Sequence, residues 1–186
     1  MLRIIGGTFK SRKIKEVKSR KTRPTTDKNK EAVFNTLGQY FSGGRMLDLY
    51  AGSGSIGIEA LSRGIETVDF VDNLKLACKT IKENLEILDI LEKTSINRIQ
   101  AIPFLKNAKE PYNYIFADPP YALNQYQQIL EIIISRQLLS DNGIIIFEAD
   151  RNTELPEKIN NCFKYKEKIF GITKFAFYRM ENNKWE

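Results

Sequence analysis

Two stretches of the sequence carry residues able to do chemistry. The first, DLYAGSGSIG at residues 48–57, sets Gly52, Gly54 and Gly57 in the G-x-G-x-x-G spacing, and Asp72 follows Gly52 by 20 positions. Such a loop lets the backbone approach a ligand closely at a helix N-terminus, and the later carboxylate suits the hydroxyls of an adenosine ribose. Those features are common to nicotinamide and other adenosine cofactors. Asp48 separates them. It ends the preceding strand where a dinucleotide would set its pyrophosphate, and a second anion there is repelled. S-adenosylmethionine has no phosphate and brings an ammonium and a sulfonium, which a carboxylate attracts. The loop therefore favours a methyl donor.

The second stretch, ADPPY at residues 117–121, follows the apolar run YNYIF. Pro119 and Pro120 have no amide hydrogens and fixed φ, so the turn after Asp118 is stiff and rich in carbonyl acceptors. The exocyclic amine of a nucleobase has two N–H donors. Asp118 can accept one and the Pro119 carbonyl the other, which turns the nitrogen lone pair toward a methyl group, while Tyr121 stacks on the base. The ammonium formed by methylation is very acidic, so the step needs no strong base. That agrees with a chain without histidine, which excludes the common triads and the commonest general base.

The elements that must hold these residues are written in the hydrophobic periodicity. MLDLY and TVDFVD predict buried strands, and IGIEALSRG a helix closed by Gly64. Residues 74–88 repeat apolar positions at helical spacing. TSINRI, YNYIFAD and NGIIIFEAD predict further strands, with a helix from about Gln125 to Ser135. FKYKEKIFGITKFAFYRM alternates on both sides of Gly171, which predicts an antiparallel pair. Upstream, Pro24 disfavours helix at Arg23, and Thr26 or Asp27 can cap a helix with Ala32, Val33, Leu37 and Tyr40 on its apolar face. Strands alternating with helices imply an α/β fold with a mostly parallel, doubly wound sheet and a ligand crevice at the carboxyl ends of its strands.

With 186 residues, 42% hydrophobic and 28% charged, the chain suits one domain with a small extension. No apolar run reaches the ~18 residues of a membrane span, and MLRIIGG lacks the apolar stretch of a secretory signal. Cys78 and Cys162 are far apart, which suggests neither a disulfide framework nor a metal cluster and points to a reducing cytoplasm. The net charge of +6 is concentrated: the first 30 residues hold eleven Lys and Arg against Glu16 and Asp27, and the rest is net acidic. In LRIIGGTFKSRKIKEV, Ile4, Phe9 and Ile14 interleave with Arg3, Lys10, Arg12 and Lys13 around Gly6-Gly7-Thr8. This predicts a short basic hairpin that meets a polyanion, not a solvated tail.

With both stretches placed, the chain resembles the class I S-adenosylmethionine-dependent methyltransferases that modify amino groups. It is most similar to the RsmD family, which methylates a guanine N2 in bacterial 16S ribosomal RNA. The resemblance runs through RIIGGTFKSRKIK, TRPTTDKNKEAVFN, DLYAGSGSIGIEALSRG, FVDN, IFADPPY, LLSDNGIIIFE and FGITKFAFYR, of which RIIGG and RPTTD are the most specific to the family. It implies a Rossmann-like fold with a seven-stranded, mostly parallel sheet ending in an antiparallel pair. It also implies a basic RNA-binding hairpin at residues 1–22 and a methyltransferase domain at 23–186.

By the same resemblance Asp48, Gly52 and Gly54 line the methionine end of the cofactor, Asp72 its ribose, and Asp118, Pro119, Pro120 and Tyr121 the target amine. Arg3, Lys10, Arg12 and Lys13 meet RNA phosphates, and Arg23 lies near the active-site mouth. Where the family usually carries Asp-Ala against the adenine amino group, the chain has Gln100-Ala101, and Gln100 can accept that hydrogen bond through its carbonyl. The expected product is S-adenosylhomocysteine, with no metal. The expected partner is 16S ribosomal RNA in the small subunit or its assembly intermediate, with no membrane, and the chain is expected to act as a cytoplasmic monomer.

Three other readings stay open. A DNA adenine-N6 methyltransferase would also use DPPY, though the ~30 spare residues are few for reading a duplex. A non-catalytic RNA-binding assembly factor would not need intact Asp48, Asp118 and Tyr121. A nicotinamide oxidoreductase would bind its reduced cofactor tightly. Trp185 is expected to have no part in catalysis, Cys78 to be a small buried residue, and KYKEK to be a solvated strand face.

Overall fold

The computed structural model describes residues 2–17 and 26–181. The basic N-terminus forms the expected hairpin from two short strands, β1 (Leu2–Arg3) and β2 (Lys13–Ile14), with Leu2 opposite Ile14 and Arg3 opposite Lys13. Its apolar residues Leu2, Ile4 and Ile14 are buried, while Arg3, Lys10, Arg12 and Lys13 are exposed. Thr26 then caps α1 (Asp27–Leu37) by accepting the Asn29 amide hydrogen. Ala32 and Val33 pack inward and Leu37 is half-buried. Tyr40 departs from the expected apolar face. Gly38, with φ 115°, ends the helix, so Tyr40 lies beyond it with 68% of its surface exposed.

Residues 1–101 form one compact unit. Besides the hairpin and α1 it holds β3 (Arg45–Leu49), α2 (Ser55–Ser62), β4 (Thr67–Asp72), α3 (Lys75–Leu88) and β5 (Thr94–Arg98). The three strands are parallel in the order β5-β4-β3. Each crossover is a helix, as parallel strands require. Every residue of α2 is buried, which explains why its sequence is apolar almost all round. The amphipathic α3 buries Ala77, Ile81, Leu85 and Leu88 at helical spacing. Cys78 is half-buried beside that stripe rather than within it, and its Sγ is 3.5 Å from the Asp72 carbonyl.

The second unit covers residues 102–186. A short helix, α4 (Ala101–Asn107), runs across the division and is followed by β6 (Tyr112–Ala117), α5 (Tyr126–Ser135), β7 (Leu139–Asp150), β8 (Lys158–Ile159), β9 (Cys162–Phe170) and β10 (Thr173–Met180). β6 and β7 are parallel, and β10 lies antiparallel to both β7 and β9. Gly171 makes the β9–β10 turn at φ 60°. The two-residue β8 pairs with β9 and adds one strand to the seven expected. The rings of Tyr126, Phe147 and Tyr178 stack edge to face at 5.3 and 5.6 Å and anchor this unit's core. The fold is α/β, mostly parallel, with antiparallel strands at the C-terminal end. Among the described residues no helix is long and apolar enough to cross a membrane.

Candidate active site

After β3 the chain must turn from strand to helix within five residues, and left-handed torsions accomplish it. Tyr50 has φ 60°, Gly52 φ 55° and Gly54 φ 75°. Left-handed torsion costs a glycine little, whereas Tyr50 is a non-glycine residue held there by the loop around it. The loop is braced on both sides. The Ala51 amide donates to the Val71 carbonyl at 3.1 Å and the Gly54 amide to the Ala51 carbonyl at 2.7 Å. Gly57 serves close packing, since a Cβ there would come within 2.4 Å of the Phe70 ring. A Cβ on Gly52 would meet nothing within 4 Å. The space above that residue is open, so the loop has room for a ligand at its backbone.

Two carboxylates hold this loop. Asp48, only 2% exposed, accepts the Gly57 amide hydrogen at 3.0 Å and so caps the first turn of α2 from the neighbouring strand. Asp72 accepts the Gly52 amide at 2.9 Å through one oxygen and the Leu74 amide at 2.9 Å through the other. Each carboxylate oxygen has a second lone pair, which leaves Asp72 with acceptor capacity at the rim of the loop. Ser55 Oγ, in the first turn of α2, is the one buried side-chain polar atom without a partner among the described residues. Open space and an acidic rim together fit a ligand with hydroxyl and cationic groups. The Ile99 amide donates to the Asp72 carbonyl at 3.2 Å and so brings Gln100, which is exposed, to the same strand ends. Ala101 is buried as the first residue of α4.

Asn84 is a contributor that the sequence reading missed. It is fully buried on α3, and its Nδ2 donates to the carbonyls of Ser53 and Lys15, both at 3.0 Å, while its Oδ1 accepts the Lys15 amide at 2.7 Å. One side chain thus joins the glycine loop to the segment that leaves the hairpin after β2. The available signal was an asparagine between Ile81 and Leu85, on a buried face of α3 whose other polar residue is Thr80.

The hairpin itself is docked on α2 by a second buried polar residue, Glu59. Its carboxylate accepts the amides of Ile5 and Gly6 at 2.9 and 2.8 Å and Nε of Arg63 at 2.8 Å, with the Lys30 ammonium 3.8 Å away. Lys30 is fully buried and donates to the Arg3 carbonyl. Burial pushes its ammonium pKa down, and Glu59 and Asp27 partly oppose that. Gly7, at φ 76°, has no room for a side chain, because its Cβ would fall 1.7 Å from the Ser62 carbonyl oxygen. These contacts explain the RIIGG stretch. Arg3, Lys10, Arg12 and Lys13 are each exposed on the hairpin. Arg3 donates to Asp27 at 2.6 Å, and Arg12 to the Ile87 carbonyl at 3.1 Å. Arg23 lies outside the described residues, as does Trp185.

In the second unit, β6 delivers Asp118 at its end. The side chain is half-buried, and loss of hydration pushes its carboxyl up from 3.8 to about 7. Pro119 is buried and Pro120 exposed. The Pro120 carbonyl accepts the Leu123 amide at 2.9 Å, closing a 3₁₀ turn that begins at Tyr121, whose surface is 53% exposed. The turn is therefore rigid through both its prolines and its own hydrogen bond. It sets a carboxyl and an exposed aromatic ring three residues apart in the chain.

Comparison with known proteins bears on this arrangement. The profile of a family described as "Conserved hypothetical protein 95" matches residues 2–179. The chain is 42% identical over 181 residues to the YlbH protein of Bacillus subtilis, covering 96% of this chain and 98% of that one. It is 33% identical over 183 residues to the "Ribosomal RNA small subunit methyltransferase D" of Haemophilus influenzae, covering 96% and 93% of the two. Among solved structures, the yhhF protein of Escherichia coli matches with a TM-score of 0.84 at 28% identity, over 97% of this chain and 98% of that one.

Proposed function

The chain belongs to the family described as conserved hypothetical protein 95, the RsmD family, and from that membership we propose that it methylates the exocyclic N2 of a guanine in 16S ribosomal RNA of the small subunit. The observation that carries the reading is the loop from Asp48 to Gly57, an open glycine turn rimmed by Asp72, in a chain that also carries Asp118–Tyr121 at the end of β6.

S-adenosylmethionine, when bound, supplies an electrophilic methyl group on a positively charged sulfur. On this reading Asp72 accepts the ribose hydroxyls with its remaining lone pairs, and Asp48 sets a negative field behind the loop that favours the cationic methionine end. Gln100 accepts the adenine amino hydrogen, and the Ala101 backbone flanks the same ring. Asp118 and the Pro119 carbonyl each accept one N–H of the guanine N2, which frees its lone pair for attack. Pro120 keeps the turn from yielding, and Tyr121 stacks on the guanine. Asp118 accepts more strongly when ionised, and the proton released from N2 passes to solvent or to that carboxylate. Lys10, Arg12 and Lys13 on the hairpin, with Arg3 and Arg23, draw the RNA by its phosphates.

Titration calorimetry with S-adenosylhomocysteine, run beside a methyl-transfer assay, tests the assignment. Asp72→Ala is expected to weaken homocysteine-product binding by roughly ten- to a hundredfold, the worth of hydrogen bonds to a charged group. Asp118→Ala is expected to leave that binding unchanged and to lower transfer at least about a hundredfold, the scale of losing one preorganised polar contact to the reacting group. Transfer near normal in Asp118→Ala, or unaltered binding in Asp72→Ala, contradicts the corresponding role.

A further inference from the structure

Beside the hairpin, and apart from the glycine loop, lies a second concave surface of about 380 Å³, bounded by Arg3 and Lys10 on the hairpin, Asp27 and Glu31 on α1, and Gln39 and Tyr40 just past it. We propose that this groove takes one unpaired nucleotide of the RNA substrate, with its base stacked on Tyr40 and its phosphates on Arg3 and Lys10. The inference rests on the RNA-substrate reading and adds a base-binding site that the hairpin's charge alone does not imply.

Rigidity carries the argument. Tyr40 is 68% exposed, yet the residues on both sides of it are tied to one arginine. Arg63 Nη1 donates to the Gln39 carbonyl at 3.0 Å, and the Phe41 amide donates to the Arg63 carbonyl at 2.8 Å. Arg63 is itself buried, held by Glu59 at 2.8 Å and seated 4.9 Å from the centre of the Phe34 ring. An aromatic ring presented to water on a turn so firmly held is a preorganised stacking platform. Charge sets the orientation of what stacks there. Asp27 and Glu31 repel phosphate but accept hydrogen bonds from the amino or imino groups of a base. Lys10, and the Arg3 guanidinium through the N–H groups other than the Nε it donates to Asp27, attract the backbone from the hairpin side. The amide of Gln39 and that of Asn35, which also lines the groove, can each donate to and accept from a base edge. The volume matches a small-ligand site and is far short of a duplex. The stacking face of a base is accessible only when it is unpaired, so the occupant is a single-stranded or looped nucleotide.

The test measures binding of a fluorescein-labelled single-stranded RNA oligonucleotide of mixed sequence by fluorescence anisotropy. The wild type, Tyr40→Ala and Tyr40→Trp are compared, with S-adenosylhomocysteine affinity and melting temperature determined for each. Tyr40→Ala is expected to weaken RNA binding about tenfold, and Tyr40→Trp to keep it, as base stacking requires. Homocysteine-product affinity and melting temperature stay at the wild-type values. Unchanged RNA binding in Tyr40→Ala overturns the proposal, as does an equal loss in Tyr40→Trp. A wild-type methyl-transfer assay on small-subunit RNA separates the two readings. Transfer with RNA affinity indifferent to Tyr40 removes the groove and keeps the enzyme. Tyr40-dependent RNA binding without any transfer keeps the groove and removes the enzyme.

Discussion

Asp118 shows how one residue trades stability for chemistry. Burial at the end of β6 raises its carboxyl to about 7, so near neutrality the group is divided between an acid and the carboxylate that accepts one N–H of the target amine more strongly. Methyl transfer is expected to climb as pH rises through about 7 and then level off, which a pH profile of kcat/KM for RNA checks. The same shift acts on folding with a definite sign. Between the unfolded value of 3.8 and the folded value of about 7, the folded chain holds the proton more tightly, so stability falls as pH rises through that window. Asp118→Asn removes the ionisation. Its melting temperature is expected to exceed that of the wild type at pH 8, with the difference shrinking as pH is lowered toward 4. A difference that does not change with pH contradicts the burial account. Asp118 was legible in the sequence because the two prolines after it leave few conformations for the turn. Its raised pKa was not, because that depends on what packs around the carboxyl.

Between elements, the decisive contacts are made by polar side chains that the hydrophobic pattern treats as interruptions. Glu59 lies on a helix that is otherwise apolar, and its backbone partners Ile5 and Gly6 are 54 and 53 residues earlier. Asn84 reaches Lys15 across 69 residues and Ser53 across 31. Periodicity reports which face is buried, not what a buried polar group will meet, so the longer strands and helices and both turns were readable, while the short α4 and β8, with too few residues to show a period, and the docking of the hairpin on α2 were not. Tyr40 was misplaced for a related reason: helical spacing continued past Gly38, but the left-handed torsion at that glycine stopped the helix. Asn84→Ala leaves the Lys15 amide, the Lys15 carbonyl and the Ser53 carbonyl without their partner. It is expected to cost about 2–4 kcal/mol of stability in denaturant unfolding. Below the unfolding transition it is also expected to weaken S-adenosylhomocysteine binding, because the Ser53 carbonyl belongs to the glycine loop. A stability loss with wild-type affinity confines Asn84 to holding the hairpin.

For the molecule as a whole, charge is distributed by function. The excess of Lys and Arg in the first 30 residues sits on a net-acidic remainder, and the hairpin pairs Arg3 directly with Lys13. Asp27 offsets the charge of Arg3, and Lys10, Arg12 and Lys13 present the hairpin's remaining exposed charge to a polyanion. Neutralising Lys10, Arg12 and Lys13 together is expected to reduce the slope of log affinity for RNA against log salt by about 2, from the counterions no longer released. An unchanged slope assigns the hairpin a structural role alone. The central claim, that this chain places a methyl group on a guanine amine of small-subunit RNA, is tested most directly by the product. Labelled S-adenosylmethionine is supplied with small subunits lacking the modification, with naked 16S ribosomal RNA and with duplex DNA, and the methylated nucleoside is identified by mass. N2-methylguanosine from the ribosomal RNA, free or in the subunit, is the expected result. N6-methyladenine in DNA, or no product from any of the three, contradicts the claim.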